Sequence, residues 1–288
     1  MTGRDQMSEE TKEVAFQGEP GAYSEAAAIA YFGEEIQTLP CYSFEDIFDS
    51  VVDGKVTHGL IPIENSLAGS IHRNYDLMLR YNLNIVGEYH LRVSHCLMAF
   101  PGVKLAAIRT VHSHPQALAQ CDQHIADLGL EIVVESDTAG SARMLKEKKM
   151  RNAAAIASKR AADVYNLQIL LENMEDNTAN YTRFLAITQP ASDQKVDEQS
   201  AYKSSIVFSL KNQPGSLYKA MGVFASRDID LTKIESRPIA GKPWEYMFYI
   251  DFAGHAASED CNAALDELKD LSLFFRLLGA YPRHQLEY

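Results

Sequence analysis

The chain has 288 residues, 46% of them hydrophobic and 23% charged, with a formal net charge of −12 and a pI near 5.2. That length accommodates two domains with separate cores, and the acidic balance excludes nucleic-acid and anionic-membrane partners, which need a basic face. Cys41, Cys96, Cys121 and Cys261 form no C-x-x-C pair, which excludes a disulfide framework or structural zinc and points to a reducing, cytoplasmic compartment.

No apolar run is long enough to span a membrane, and the polar opening MTGRDQMSEETK reads as neither a signal nor a transit peptide. In chain order, EVAFQG (13–18) predicts a strand and SEAAAIAYFG a helix ending at Gly33. HGLIPIEN (58–65) predicts a strand before the helical GSIHRNYDLMLRYN, and IRTVHS (108–113) another before HPQALAQCDQHIADLG. EIVVES (131–136) precedes DTAGSARMLKEKK, and AAAIAS (153–158) precedes KRAADVYN. Strands alternating with helices predict an α/β architecture with largely parallel sheets. YTRFLAI, residues 181 to 187, predicts a strand buried on both faces that opens on Thr182 and Arg183. Its plain reading is a strand start with the arginine at a solvent edge. The polar stretch 189–203 predicts a linker. Beyond it KSSIVFSL (203–210), LYKAMGVFASRD, LTKIESRPIA, WEYMFYIDF, ASEDCNAALDELKD (capped by Ser258) and LFFRLLGAY give the order βαββαβ, the ferredoxin-like pattern.

In α/β sheets, ligands gather where strand C-termini meet helix N-termini, and four such junctions are small and polar. QGEPGAYS (17–24) spaces its glycines G-x-x-G, with Ser24 placed to cap the next helix. That is neither a dinucleotide fingerprint nor a phosphate loop. IENSLAGS (63–70) offers Asn65, Ser66 and Ser70. SHPQ (113–116) reads as a capping box led by Ser113, and Gln120 lies two helical turns on, on the same face. SDTAGS (136–141) repeats the hydroxyl-rich theme. Helix N-termini converging on one cleft would hold a carboxylate despite the net charge. His112, His114, Cys121 and His124 match no metal-ligand spacing, and there is no G-x-S-x-G elbow. No metal or cofactor is expected.

GEPGAYS, PIENSLAGSI, SHPQALAQC and YTRFLAI in that order, followed by IESRPIAGKPWEYMFYIDF, resemble the prephenate dehydratase family with a C-terminal ACT regulatory domain. The resemblance runs from about residue 14 to 283. It implies a two-lobed catalytic domain built like periplasmic binding proteins over 13–190 and an ACT domain over 203–285. The implied activity is a carbon–oxygen lyase: prephenate loses carbon dioxide and water to give phenylpyruvate, on the way to phenylalanine. Arogenate dehydratase, the same elimination on an amino-bearing substrate, and a non-catalytic phenylalanine sensor are the alternatives.

By the same resemblance the catalytic hydroxyl maps onto Thr182, and substrate contacts onto Asn65, Ser66, Ser113 and Gln120. Arg183 matches the motif arginine and would pair with a substrate carboxylate. Phenylalanine, the implied allosteric effector, would bind between ACT domains of a homodimer or homotetramer. Its contacts map onto Asn212, Gln213, Pro214, Gly215, Ser216 and Leu217 of one loop, and Glu235, Ser236, Arg237 and Pro238 of one strand. GSLY stands where the family often has G-A-L-V, which leaves the sign of the response open.

Overall fold

The computed structural model describes residues 12–190 and 200–285. Residues 191–199, most of the expected linker, lie outside them. The chain divides into two compact units, Met1–Gly69 with Leu91–Thr182, and Ser70–His90 with Arg183–Tyr288. Among the described residues no helix is long and apolar enough to cross a membrane.

The first unit contains two α/β lobes. In one, strand Glu13–Gln17 lies between parallel neighbours Gln37–Cys41 and His58–Asn65. Parallel neighbours need crossovers, supplied by helices Tyr23–Phe32 and Phe44–Val52. The first of these ends at Gly33 as expected, where a φ of 98° lets the glycine amide reach back to the Ile29 carbonyl. The second begins with a capping box made by Ser43 and Asp46, a signal the element reading passed over.

The other lobe is a five-stranded sheet in the order Gln168–Leu171, Cys96–Ala99, Ala153–Ala157, Thr110–Ser113, Glu131–Val134. Its last two pairings are parallel and its first two antiparallel, so only part of this sheet follows the parallel expectation. The alanine-rich strand Ala153–Ala157 is buried throughout, its small side chains lying among the packed residues of helices Thr138–Lys148 and Lys159–Tyr165.

The second unit holds an antiparallel four-stranded sheet ordered Leu231–Pro238, Tyr246–Ala253, Tyr202–Leu210, Ser272–Pro282. With helices Ser216–Ala225 and Glu259–Leu271 it gives βαββαβ, as the patterning predicts. Both helices cover one face through Phe208, Phe224, Phe252 and Leu268. The opposite face is covered by residues 70–90, which the sequence reading assigned to the N-terminal block. The Tyr249 hydroxyl donates to the Tyr75 carbonyl at 2.9 Å, and Arg276 donates to the carbonyls of Met78 and Leu83 at 3.1 and 2.9 Å. Backbone approach is close enough that a Cβ on Gly279 would lie 2.1 Å from the Ile85 oxygen. Strand Tyr181–Thr188 runs beside Asn84–Arg92.

Candidate active site

Asn65 ends its strand and organises the start of strand Tyr181–Thr188. Its Nδ2 reaches Asn180 Oδ1 at 2.8 Å, the Tyr181 carbonyl at 3.2 Å and Thr182 Oγ1 at 3.0 Å. Its Oδ1 accepts from the backbone of Leu67 and Ala68 at 3.0 and 2.9 Å. Ser66 stitches the same place together, its hydroxyl donating to the Ala179 carbonyl at 2.8 Å and accepting from Tyr181 N at 2.9 Å. Thr182 therefore accepts from Asn65, and among the described residues its own proton goes to no acceptor.

A second arm joins through Asn180, which is fully buried. Its Nδ2 donates to Gln120 Oε1 at 3.1 Å, and His95 Nε2 meets the same oxygen at 2.8 Å. An amide oxygen only accepts, so His95 carries a proton on Nε2. Burial, the largest influence, holds the His95 imidazolium below its ordinary range, and the Gln120 bond and Glu175 offset it only in part. The neutral ring then has a bare Nδ1, which accepts from the Tyr23 hydroxyl at 2.6 Å. Burial, reinforced by Cys96, Cys121 and Glu175, raises the Tyr23 phenol well above its usual value, so it keeps its proton. Glu175 fixes this segment, accepting from His95 N at 2.8 Å and from Arg92 at 3.0 Å. The result is a chain from Tyr23 through His95, Gln120, Asn180 and Asn65 to Thr182. Two donors are uncommitted among the described residues, the Thr182 hydroxyl and the Gln120 amide nitrogen.

Asn65, Ser66, Gln120 and Thr182 are thus brought together, and Ser113 is not. It is fully buried, and its hydroxyl donates to the Ile156 carbonyl at 2.6 Å. His114, not Ser113, caps the helix, its Nδ1 accepting from Gln116 N at 3.2 Å. Ser24 is likewise no cap, because the N-cap position falls two residues earlier, at Ala22. The anion-binding amides expected at the junctions are occupied from within the chain. Gly21 N donates to Glu25 at 2.7 Å, Gly140 N to Asp137 at 2.5 Å, and Leu67 and Ala68 to Asn65. A Cβ on Gly21 would stand 2.7 Å from the Ala161 Cα, so that glycine serves close packing. The free donors of the site are side chains rather than helix N-termini.

Arg183 also departs from expectation. It is 7% exposed and fully engaged in the second unit, bonding Glu88 at 2.8 Å, Asp251 at 2.6 Å and the Tyr281 hydroxyl at 3.1 Å. Lys203 joins at Glu88, 2.8 Å, and Ser205 donates to Asp251 at 2.5 Å. Two cations and two carboxylates balance. The guanidinium is neither a solvated strand end nor free to grip a substrate. His112 and His124 pair with Glu135 and Asp176 at 3.0 and 2.8 Å, and no group of three His, Cys, Asp or Glu among the described residues could hold a metal ion.

The expected effector residues separate into two sets. Asn212, Gln213, Ser216 and Leu217 line a cavity of about 110 Å³ closed by Trp244, Tyr246 and Phe248, with Gly215 beside it at a φ of 82°. Pro214 is exposed in the same loop. Ser236 and Pro238 stand opposite Phe248 and Tyr246 across the sheet, and so share the cavity's face. Glu235 and Arg237 point the other way. Glu235 meets Ser70 at 2.5 Å and His72 at 3.3 Å, and Arg237 meets Asp76 at 2.9 Å.

The sequence profile described as prephenate dehydratase matches residues 14–192. Arogenate dehydratase/prephenate dehydratase 1, chloroplastic, of Arabidopsis thaliana is 45% identical, over 93% of this chain and 71% of its own length. A crystal structure of prephenate dehydratase in complex with L-Phe, from Arthrobacter aurescens, superposes with a TM-score of 0.85 at 31% identity, covering 94% of this chain and 90% of that one. GqqA, described as a novel type of quorum quenching acylase, superposes with a TM-score of 0.89 at 38% identity, covering 95% and 98%.

Proposed function

From the premise that this chain belongs to the prephenate dehydratase family, we propose that it is a lyase converting prephenate to phenylpyruvate at the site built around Thr182. The observation that carries the assignment is the unspent proton of Thr182, held in place by Asn65 at 3.0 Å. In the reaction the ring–carboxylate bond breaks, and its electron pair enters the ring as carbon dioxide leaves. The ring carbon–oxygen bond breaks in turn, expelling the hydroxyl as the ring becomes aromatic. Thr182 donates its hydrogen bond to that departing oxygen, which leaves as water after taking a proton from solvent. A threonine hydroxyl is a feeble acid, so hydrogen-bond donation is its role rather than outright proton transfer. Asn65 and Asn180 act by holding Thr182 and Gln120.

The uncommitted groups are both donors. Donors suit the keto oxygen and carboxylates of prephenate, whereas the ammonium of arogenate brings only further donors. An acylase reading needs an activated nucleophile. Among the described residues no base receives the Thr182 proton, and burial pushes the Cys96 thiol up to about 11. Measured side by side, kcat/KM is expected to favour prephenate over arogenate, and the reverse preference would move the protein to the arogenate reaction.

The catalytic domain spans 13–190 and the ACT domain 203–285. Phenylalanine binds the loop at 212–217 with Ser236 and Pro238, supported by the cavity there. The exposed Ile234, Trp244, Leu273 and Phe274 on and beside the outer strands support a homo-oligomer, and four buried free cysteines fit a reducing compartment such as the cytoplasm. Coupling of about 1–3 kcal/mol would change apparent affinity several-fold to a hundredfold. A β-branched residue is strained at positive φ, so Gly215→Val is expected to abolish the phenylalanine response while turnover without effector persists. An undiminished response would remove the loop from the effector site.

A further inference from the structure

The Gln120 amide can be seated in two ways. One presents its nitrogen to the substrate, and the other presents its oxygen. Gln120 itself does not decide between them, because the two ends of a carboxamide have nearly the same shape. What faces its inner end decides. Asn180 Nδ2 approaches at 3.1 Å and His95 Nε2 at 2.8 Å. Asn180 must offer its nitrogen there, because its oxygen is taken by Asn65 Nδ2 at 2.8 Å. His95, however, has two neutral tautomers, and only one carries a proton on Nε2. Tyr23 bears on that choice: its hydroxyl lies 2.6 Å from His95 Nδ1, and with its one proton directed there Nδ1 carries none and the ring is protonated on Nε2. The Ser94 carbonyl, 3.1 Å from the same hydroxyl, is the alternative destination for a proton in this corner.

We propose that Tyr23 and His95 are positioning residues that lock the Gln120 amide with its N–H groups toward the substrate. The argument rests on the dehydratase reading of the site. Without the Tyr23 hydroxyl, His95 gains freedom to protonate Nδ1 and turn a bare Nε2 toward Gln120. Gln120 then keeps only the Asn180 donor at its inner end, 3.1 Å away, and is held less firmly against turning its oxygen toward a substrate that is itself a dianion. Neither residue touches the reacting atoms in this scheme.

The test has a spectroscopic arm and a kinetic arm. Nitrogen NMR of the histidine rings, with His95 assigned by its loss in His95→Gln, is expected to show the Nε2–H tautomer in the unmodified protein and a shift toward Nδ1–H in Tyr23→Phe. An Nδ1–H ring in the unmodified protein would overturn the inference. This arm does not depend on turnover, so it stands even if the dehydratase reading fails. Kinetically, Tyr23→Phe is expected to lower kcat/KM for prephenate about tenfold or more. His95→Gln, which retains a donor near the Nε2 position, should keep more activity than His95→Asn. In a Gln120→Ala background, Tyr23→Phe should have no further effect. Losses that multiply in the double variant, or full activity in Tyr23→Phe with an unchanged melting curve, would each overturn it.

Discussion

Thr182→Val is expected to lower prephenate turnover by about 10²–10⁴-fold, equivalent to about 3–5 kcal/mol of barrier, with the fold retained. Valine matches threonine in shape and removes only the hydroxyl. The loss does not strand a buried group, because Asn65 Nδ2 keeps Asn180 Oδ1 and the Tyr181 carbonyl as acceptors, at 2.8 and 3.2 Å. Unfolding curves should therefore coincide while kcat collapses. Thr182→Ser restores the hydroxyl and should recover much of the rate. Near-normal kcat in the valine variant would remove Thr182 from the chemistry.

Arg183→Met is expected to act in the opposite manner, on stability first. The guanidinium satisfies Glu88 and Asp251, both deeply buried, and removing one member of a buried ion cluster costs about 3–5 kcal/mol. Against a typical total of about 5–15 kcal/mol, that loss is large. The pH dependence follows from Asp251. Burial alone would raise its carboxyl, but Arg183, the Ser205 hydroxyl and Lys203 together hold it below the usual range. A carboxylate with a depressed folded value contributes stability above its unfolded pKa, about 3.9. That contribution is lost as pH falls through the folded value. The stability gap between the parent and Arg183→Met should therefore be full at neutral pH and narrow in acid, as measured by urea unfolding across pH. If Arg183 instead bound a substrate carboxylate, the variant would keep its stability and show a raised KM.

These two neighbours show how far the sequence could be read. YTRF marks where Thr182 meets Asn65, but the contacts of Thr182 and Arg183 are set by partners distant in the chain. Glu88 sits in NIVGEYHLR, which contains Gly87, Glu88 and His90 and does not look like a buried strand. It is buried because Arg183 and Lys203 neutralise it. Tyr23 lies in the GEPGAYS junction and His95, 72 residues on, in none of the quoted motifs, so the two become a pair only through folding.

Elements fared according to the strength of their local signals. The βαββαβ order was legible because long alternating strands are separated by Gly and Pro turns. Strands Cys96–Ala99 and Gln168–Leu171 are as short as Thr110–Ser113 and Glu131–Val134, four residues each, but unlike those two they are not followed by an α-helix whose periodicity would mark the junction. Gln37–Cys41 carries Pro40, which is tolerated there because the strand lies at a sheet edge. The SHPQ junction was read one residue early. The strand runs through Ser113, which buries the hydroxyl and passes the cap to His114.

The most direct test of the central claim is absorbance-monitored turnover of prephenate by the purified protein, with Thr182→Val assayed beside it. Formation of phenylpyruvate by the parent protein, falling at least about a hundredfold in the variant, is the predicted result. A parent protein that leaves prephenate and arogenate unchanged, or equal rates in both proteins, would contradict it.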